Sequence, residues 1–156
     1  MKARTLLLTL ALYFVGIGVC FAQQHPSFMG TWKLNESKSK LAPGTPKNNT
    51  VVYEAAGDSV KVTIDGTDAA GSPTHTEWTG KFDGKDYPVT GDPNTDTRSL
   101  VRRTEHKMGF TAKKGKKVVT SGTIILSPDG KSRTVNFSGT DAQGHTYKST
   151  AVYDKQ

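Results

Sequence analysis

The chain has 156 residues, 21 Lys and Arg against 14 Asp and Glu, a formal charge of +7, and 34% hydrophobic residues. That length suits one domain with a core of its own, and its one long apolar run, Leu6 to Val19, is short for a membrane span. Acids are interspersed among the lysines and arginines, so the basic balance argues for solubility ahead of polyanion binding.

The amino terminus reads MKARTLLLTLALYFVGIGVCFAQQ. Lys2 and Arg4 precede the apolar run, and small residues and Gln23-Gln24 follow it, the layout of a secretory signal peptide. Cleavage is expected after Ala22, with Cys20 and Ala22 in the two small-side-chain slots. Lipid attachment at Cys20 ranks second: Ile17-Gly18-Val19-Cys20 loosely resembles a lipoprotein box, but Val19 stands where that motif wants a small residue. Residues 1–22 are thus read as a signal peptide and 23–156 as a single domain, periplasmic or extracellular. Removal takes Lys2 and Arg4 and no acid, so +7 becomes +5. The single cysteine leaves with the signal, so the mature chain relies on packing and strand pairing in place of disulfides.

Beyond residue 28 the pattern is that of strands. Runs rich in Val, Thr, Ile, Tyr and Phe alternate in polarity between Gly and Pro punctuation. In chain order the spacing predicts strands over 29–34, 49–55, 59–65, 76–82, 86–90, 97–103, 107–112, 117–126, 134–138 and 146–154. The clearest is Ser59 to Asp65, with Val60, Val62 and Ile64 on one face and Lys61, Thr63 and Asp65 on the other. In 76–82 Trp78 and Phe82 share a side. Ala56-Gly57-Asp58, Asp83-Gly84-Lys85, Lys113-Lys114-Gly115-Lys116 and Ser127-Pro128-Asp129-Gly130 supply turns. The fold expected is all-β, an antiparallel up-and-down β-barrel of about 8–10 strands, with a sandwich as the alternative. Two segments exceed what a hairpin needs: 35–49, with room for one helical turn before Pro43, and the proline-punctuated 84–96.

One phrase is written twice: GTDAAG at 66–71 and GTDAQG at 139–144. Val62 to Asp65 matches Val135 to Ser138, and treating Ser72-Pro73-Thr74 as an insertion brings His75-Thr76 onto His145-Thr146. The repeated unit is a strand, a turn and a returning strand. Gly66 and Gly139 are expected at a bulge or tight bend, Asp68 and Asp141 as acceptors for amides of their own turn, and Gly71 and Gly144 at positive φ. The rival reading is a paired metal site at His75 and His145. With two histidines, no mature cysteine and no ligand spacing among the acids, no metal is expected.

Asp92 to Asp96 opens like a calcium loop, but Thr97 and Arg103 stand where that loop needs Gly and Glu. Arg98, Arg102, Arg103, His106, Lys107, Lys113, Lys114, Lys116 and Lys117 concentrate positive charge in one hairpin, a candidate contact for an anionic surface through Arg98–Lys117. Phe110 is the lone aromatic inside it, so nucleic acid is not expected as a partner. Arg102 shares the alternating face of Leu100: turned inward it would anchor a ligand carboxylate, and an outward orientation is the alternative. No nucleophile elbow, Walker loop, zinc motif or dinucleotide fingerprint is present, so no catalytic residue or cofactor is assigned.

Phe28-Met29-Gly30-Thr31-Trp32-Lys33-Leu34 resembles the first strand of the calycin superfamily, the lipocalins and fatty-acid-binding proteins, and Ala151-Val152-Tyr153-Asp154-Lys155 resembles the last strand of the fatty-acid-binding branch. The resemblance implies a barrel whose closed end holds Gly30 and Trp32. That branch holds a carboxylate with an Arg-x-Tyr pair, and this chain has Ala151 in the arginine slot and keeps Tyr153. Its two-helix lid has no counterpart in 35–49. GTWKLNESKSK and DGKDYPVTGDP also resemble stretches of small, uncharacterised exported bacterial proteins.

The function expected is an exported lipocalin-like protein binding a small, partly apolar or amphipathic molecule in the barrel lumen. Trp78, Phe82, Leu100, Arg102, Phe110, Phe137, Tyr147 and Tyr153 are the candidate ligand-binding residues, the aromatics equally readable as core. The alternative is a non-catalytic envelope module contacting an anionic component through its basic hairpin, and a barrel enzyme of cyclase or isomerase type ranks third. A monomer or weak homo-oligomer that does not span the membrane is expected.

Overall fold

The computed structural model describes residues 27–140 and 144–156. The signal peptide, the Cys20 alternative and Asp141 of the second repeat lie outside the described residues.

Ten strands form: β1 (Gly30–Leu34), β2 (Lys47–Ala56), β3 (Ser59–Thr67), β4 (Pro73–Gly80), β5 (Tyr87–Thr90), β6 (Thr97–Thr104), β7 (Lys107–Lys114), β8 (Lys117–Leu126), β9 (Ser132–Thr140) and β10 (Thr146–Lys155). Each pairs antiparallel with the next in sequence, and β1 pairs with β10 to close a barrel. Closure leaves no terminal strand with an unpaired row of amides, a direct answer to edge association. Among the described residues no helix is long and apolar enough to cross a membrane.

Side-chain alternation decides the interior. Trp32, Val51, Tyr53, Val62, Ile64, Trp78, Leu100, Met108, Ile124, Leu126, Ala151 and Tyr153 are buried, and within each strand they keep one parity. Phe28, just ahead of β1, is buried among them and its carbonyl accepts the Trp32 indole N–H at 2.8 Å. Lys155 lies over the same ring at 5.3 Å, and this end of the barrel is closed by side chains.

The β1–β2 connection opens with a single 3-10 turn, Glu36–Lys38, whose Lys38 amide donates to the capping Asn35 Oδ1 at 3.2 Å. It then runs beside β10 where β1 no longer reaches. The Asn35 amide donates to the Val152 carbonyl at 2.8 Å, Lys40 and Thr150 exchange backbone bonds of 2.7 and 2.8 Å, and the Ala42 amide donates to Ser149 Oγ at 3.0 Å. This strap satisfies backbone groups that closure alone would leave open. The thinnest wall is β5, four residues including Pro88, which pairs through two residues on each side.

The repeated phrase forms two matching hairpins, in a register that differs from the expected one. Gly66 pairs with Thr74 and Gly139 with Tyr147, while Thr67 pairs with Pro73 and Thr140 with Thr146. The two units therefore superpose without a gap: Pro73 and Thr74 belong to β4, and the turn itself is Asp68 to Ser72. His75 corresponds to Lys148, and Ser72 to His145, so the histidines are not equivalent. Hydrogen-bond pairing fixes the correspondence, and it overrides the identity of one His-Thr dipeptide. Gly71 and Gly144 both have φ of 88°. Asp68 Oδ1 accepts from the amides of Ala70 and Ser72, each at 2.9 Å.

Candidate functional site: two arginines inside the barrel

The interior is not purely apolar. On β9 the parity that buries Val135 and Phe137 also turns Arg133 inward, opposite Tyr153 on β10 and Leu126 on β8. Arg133 is 2% exposed. Its guanidinium carbon lies 4.9 Å from the Trp32 ring centre, 5.0 Å from Tyr53 and 4.8 Å from Tyr153. Three ring faces give a desolvated cation the electrostatic attraction it lost from water, about 2 kcal/mol or more for a favourable contact. They accept no conventional hydrogen bond, and Arg133 Nε and Nη1 are buried without a partner.

A second arginine approaches from β6. Arg98 keeps part of its surface open, yet its Nε is wholly shielded and unpartnered. Its carbonyl accepts the Trp78 indole N–H at 2.8 Å, which ties the residue to the far side of thin β5. Burial pushes the Arg98 guanidinium below the usual arginine range, opposed by Tyr53, Asp92 and Tyr153. Both guanidiniums also act on Tyr153. Burial pushes that phenol up to about 12, the neighbouring Tyr53 adds to the rise, and Arg133 and Arg98 oppose it. At neutral pH the Tyr153 hydroxyl is a neutral donor.

Among the described residues no carboxylate is fully buried in this interior, and the partly exposed Asp92 acts on Arg98. Among the described residues the buried polar side chains are Thr76, Thr95, Arg133 and Ser149. Two guanidiniums with unmade N–H bonds, two phenols and apolar walls make a place where an anion gains both charge and hydrogen bonds.

The expected ligand-binding residues divide. Trp78, Leu100 and Tyr153 lie in the core, and Phe82, Phe110 and Phe137 are half-buried against it. Tyr147 meets Phe137 edge-on at 6.3 Å and covers Gly139. Arg102 shares the inward parity of Leu100 but is exposed at the closed end, its guanidinium 6.0 Å from the Phe28 ring centre. Arg98 and Arg133 instead share Tyr53 and Tyr153 as neighbours. Alternation held the signal for both, since Arg98 is two residues from Leu100 and Arg133 two from Val135.

Other candidates resolve into surface chemistry. His75 Nδ1 lies 2.6 Å from Asp65 Oδ1, and Nε2 lies 3.9 Å from Glu77 Oε1, whose other partner is Lys61 at 2.5 Å. Among the described residues no three His, Cys, Asp or Glu side chains are grouped to hold a metal ion. In the basic hairpin Lys113 pairs with Asp86 and Lys114 with Asp96, both at 2.7 Å. Two solvent-open concavities, of about 480 and 370 Å³, lie apart from Arg98 and Arg133.

No protein-family model matches the chain. No curated protein matches it either. Among solved structures it is similar to a redesigned β-barrel, b11L5F_LGL, at 16% identity over 82% of this chain and 90% of that one, with a TM-score of 0.43. It is also similar to EF1p2_mFAP2b bound to DFHBI, at 10% identity over 82% and 93%, TM-score 0.45. The redesigned barrel mFAP1 bound to DFHBI is similar at 13% identity over 81% and 94%, TM-score 0.42.

Proposed function

We propose that the protein is an exported, calycin-like barrel that binds a small, partly apolar molecule carrying one acidic group, which sits between Arg98 and Arg133. The observation that carries this reading is the pair of interior guanidiniums with unpartnered Nε and Nη1 atoms and, among the described residues, no buried carboxylate. A buried donor left unmade costs about 1–3 kcal/mol, more when charged, so an anion that satisfies several of them gains affinity from the fold's own deficit. Tyr53 and Tyr153 add polar tips, and Trp78, Leu100 and Phe137 supply apolar wall. The carboxylate position that the fatty-acid-binding resemblance implies at residue 151 is Ala151, so the anchor moves to strands β6 and β9. The envelope-contact alternative is weakened because Lys113 and Lys114 of its hairpin are already held by carboxylates.

Displacement of anilinonaphthalene sulfonate by octanoate, with octanol as the uncharged control, tests the reading. Octanoate is expected to bind at least about tenfold more tightly than octanol, and Arg98→Met with Arg133→Met to abolish the difference. Equal affinity for the two probes would overturn it. Native mass spectrometry of protein from its own cells then asks whether a small acid co-purifies.

A further inference from the structure

A separate feature lies on the outside of the barrel. Strands β8, β9 and β10 form an open groove of about 480 Å³ centred on Gly122, Phe137 and Ser149, which are register partners across the three strands. Alternation turns the residues flanking that rung outward: Ser121 and Thr123, Asn136 and Ser138, Lys148 and Thr150. Lys40 joins the β10 flank through its two backbone bonds with Thr150.

Among the described residues the lining contains no carboxylate. It offers two ammonium groups, four outward hydroxyls and an amide. Thr150 Oγ1 donates to Asn136 Oδ1 at 2.9 Å, so the amide presents its nitrogen, a donor. Lys38, Lys47 and Lys61 each hold a carboxylate, whereas neither Lys40 nor Lys148 has an ion pair with a described residue. Residues 97–140, which supply β8 and β9, carry ten Lys and Arg against two acids, Glu105 and Asp129. The chemistry is also sorted in space: both lysines lie on the β10 side with Thr150, and the other three hydroxyls and the amide lie towards β8 and β9. A matching ligand has an anionic edge and a hydroxylated body, and the groove is within the roughly 300–1,000 Å³ of small-molecule sites.

We infer that this groove binds a sugar acid, a uronic acid unit either free or within an acidic polysaccharide. Its carboxylate meets Lys40 and Lys148, and its ring hydroxyls exchange bonds with Ser121, Thr123, Asn136 and Ser138. A nucleic-acid strand would want stacking platforms, and Phe137, the one aromatic residue among the described lining, shares the inward parity of Val135 and packs against Tyr147.

Isothermal titration of the mature protein with galacturonate, trigalacturonate and methyl-esterified trigalacturonate tests the inference. The acids are expected to bind, the ester at least about tenfold more weakly, and Lys40→Gln with Lys148→Gln to lose a similar factor with an unchanged thermal midpoint. Arg98→Met should leave this binding intact, which separates it from the interior site. Matched affinity for monomer and trimer identifies a free sugar acid, and tighter trimer binding a polysaccharide; both support the groove. No binding of either acid at about 10 mM, or equal affinity for the ester or by the double variant, overturns it.

Discussion

Arg133 stacks on Trp32 with 4.9 Å between guanidinium carbon and ring centre, and both residues are closed off from solvent. The contact joins β9 to β1 past the intervening β10, and Tyr53 and Tyr153 complete the cage. Its charge is thus stabilised by ring faces while two of its nitrogens stay unmatched, so one side chain helps fill an end of the barrel and keeps unpaired donors inside it.

That arrangement separates packing from charge. Arg133→Ala removes the stacking and leaves a void, and should cost about 2–4 kcal/mol. Arg133→Met refills most of the volume and removes an unmatched charge, so its cost should stay within about 1.5 kcal/mol. Urea unfolding of both variants checks the order, and a larger loss for Met would contradict it.

Tyr153 makes alkaline stability predictable. Its phenol titrates at about 12 in the folded barrel and near its ordinary value of 10 when unfolded, so the unfolded chain releases the proton first. The contribution is complete below pH 10 and is lost as pH rises through about 12, a difference of about 3 kcal/mol. The wild type should therefore lose stability relative to Tyr153→Phe as pH rises across that window. A constant gap between them would mean that the phenol is not shielded.

The two hairpins should respond alike where they are alike. Gly71→Ala and Gly144→Ala each force an alanine to φ of 88° and should cost about 1 kcal/mol. Gly66→Ala should cost more, because its Cβ would run into the Lys47 carbonyl, whereas at Gly139 the first atom met is the end of the Tyr147 side chain. Thermal unfolding of the four variants gives the ranking.

Asp154 pins the strap. Its carboxylate accepts from Asn35 Nδ2 at 2.6 Å and lies 3.4 Å from Lys38 Nζ. The Asn35 bond, helped by Lys38, holds its pKa below the ordinary carboxylate value. The restraint is therefore present above that value and is lost as pH falls through the lowered one. Asp154→Ala should speed amide exchange at Asn35 and Lys40 while leaving exchange in β7 and β8 unchanged, and uniform exchange rates across the barrel would refute a local role.

Much of the architecture was legible from residue order because period-two alternation and turn chemistry are local. Ser59 to Asp65 shows its buried face without any partner strand, and all ten expected segments overlap the strands formed, with the Gly-Asp turns between them. The edges were less legible: Pro73 reads as a break, yet it opens β4 because antiparallel pairing with Thr67 can seat a proline at a strand's first position.

The candidate site depended on distances that no local pattern contains. Alternation marks Arg98, Arg102 and Arg133 as facing the same way as their apolar neighbours, but height along the barrel decides their fates. Arg102 stands at the rim over Phe28 and stays wet, while Arg133 meets three rings and Arg98 shares Tyr153 with it. Likewise His75 and His145 look equivalent as letters, and the hydrogen-bond register separates them. Sequence determined which residues face inward, since that follows from the geometry of one strand; closure of ten strands decided which inward charges meet, since that depends on register summed around the whole barrel.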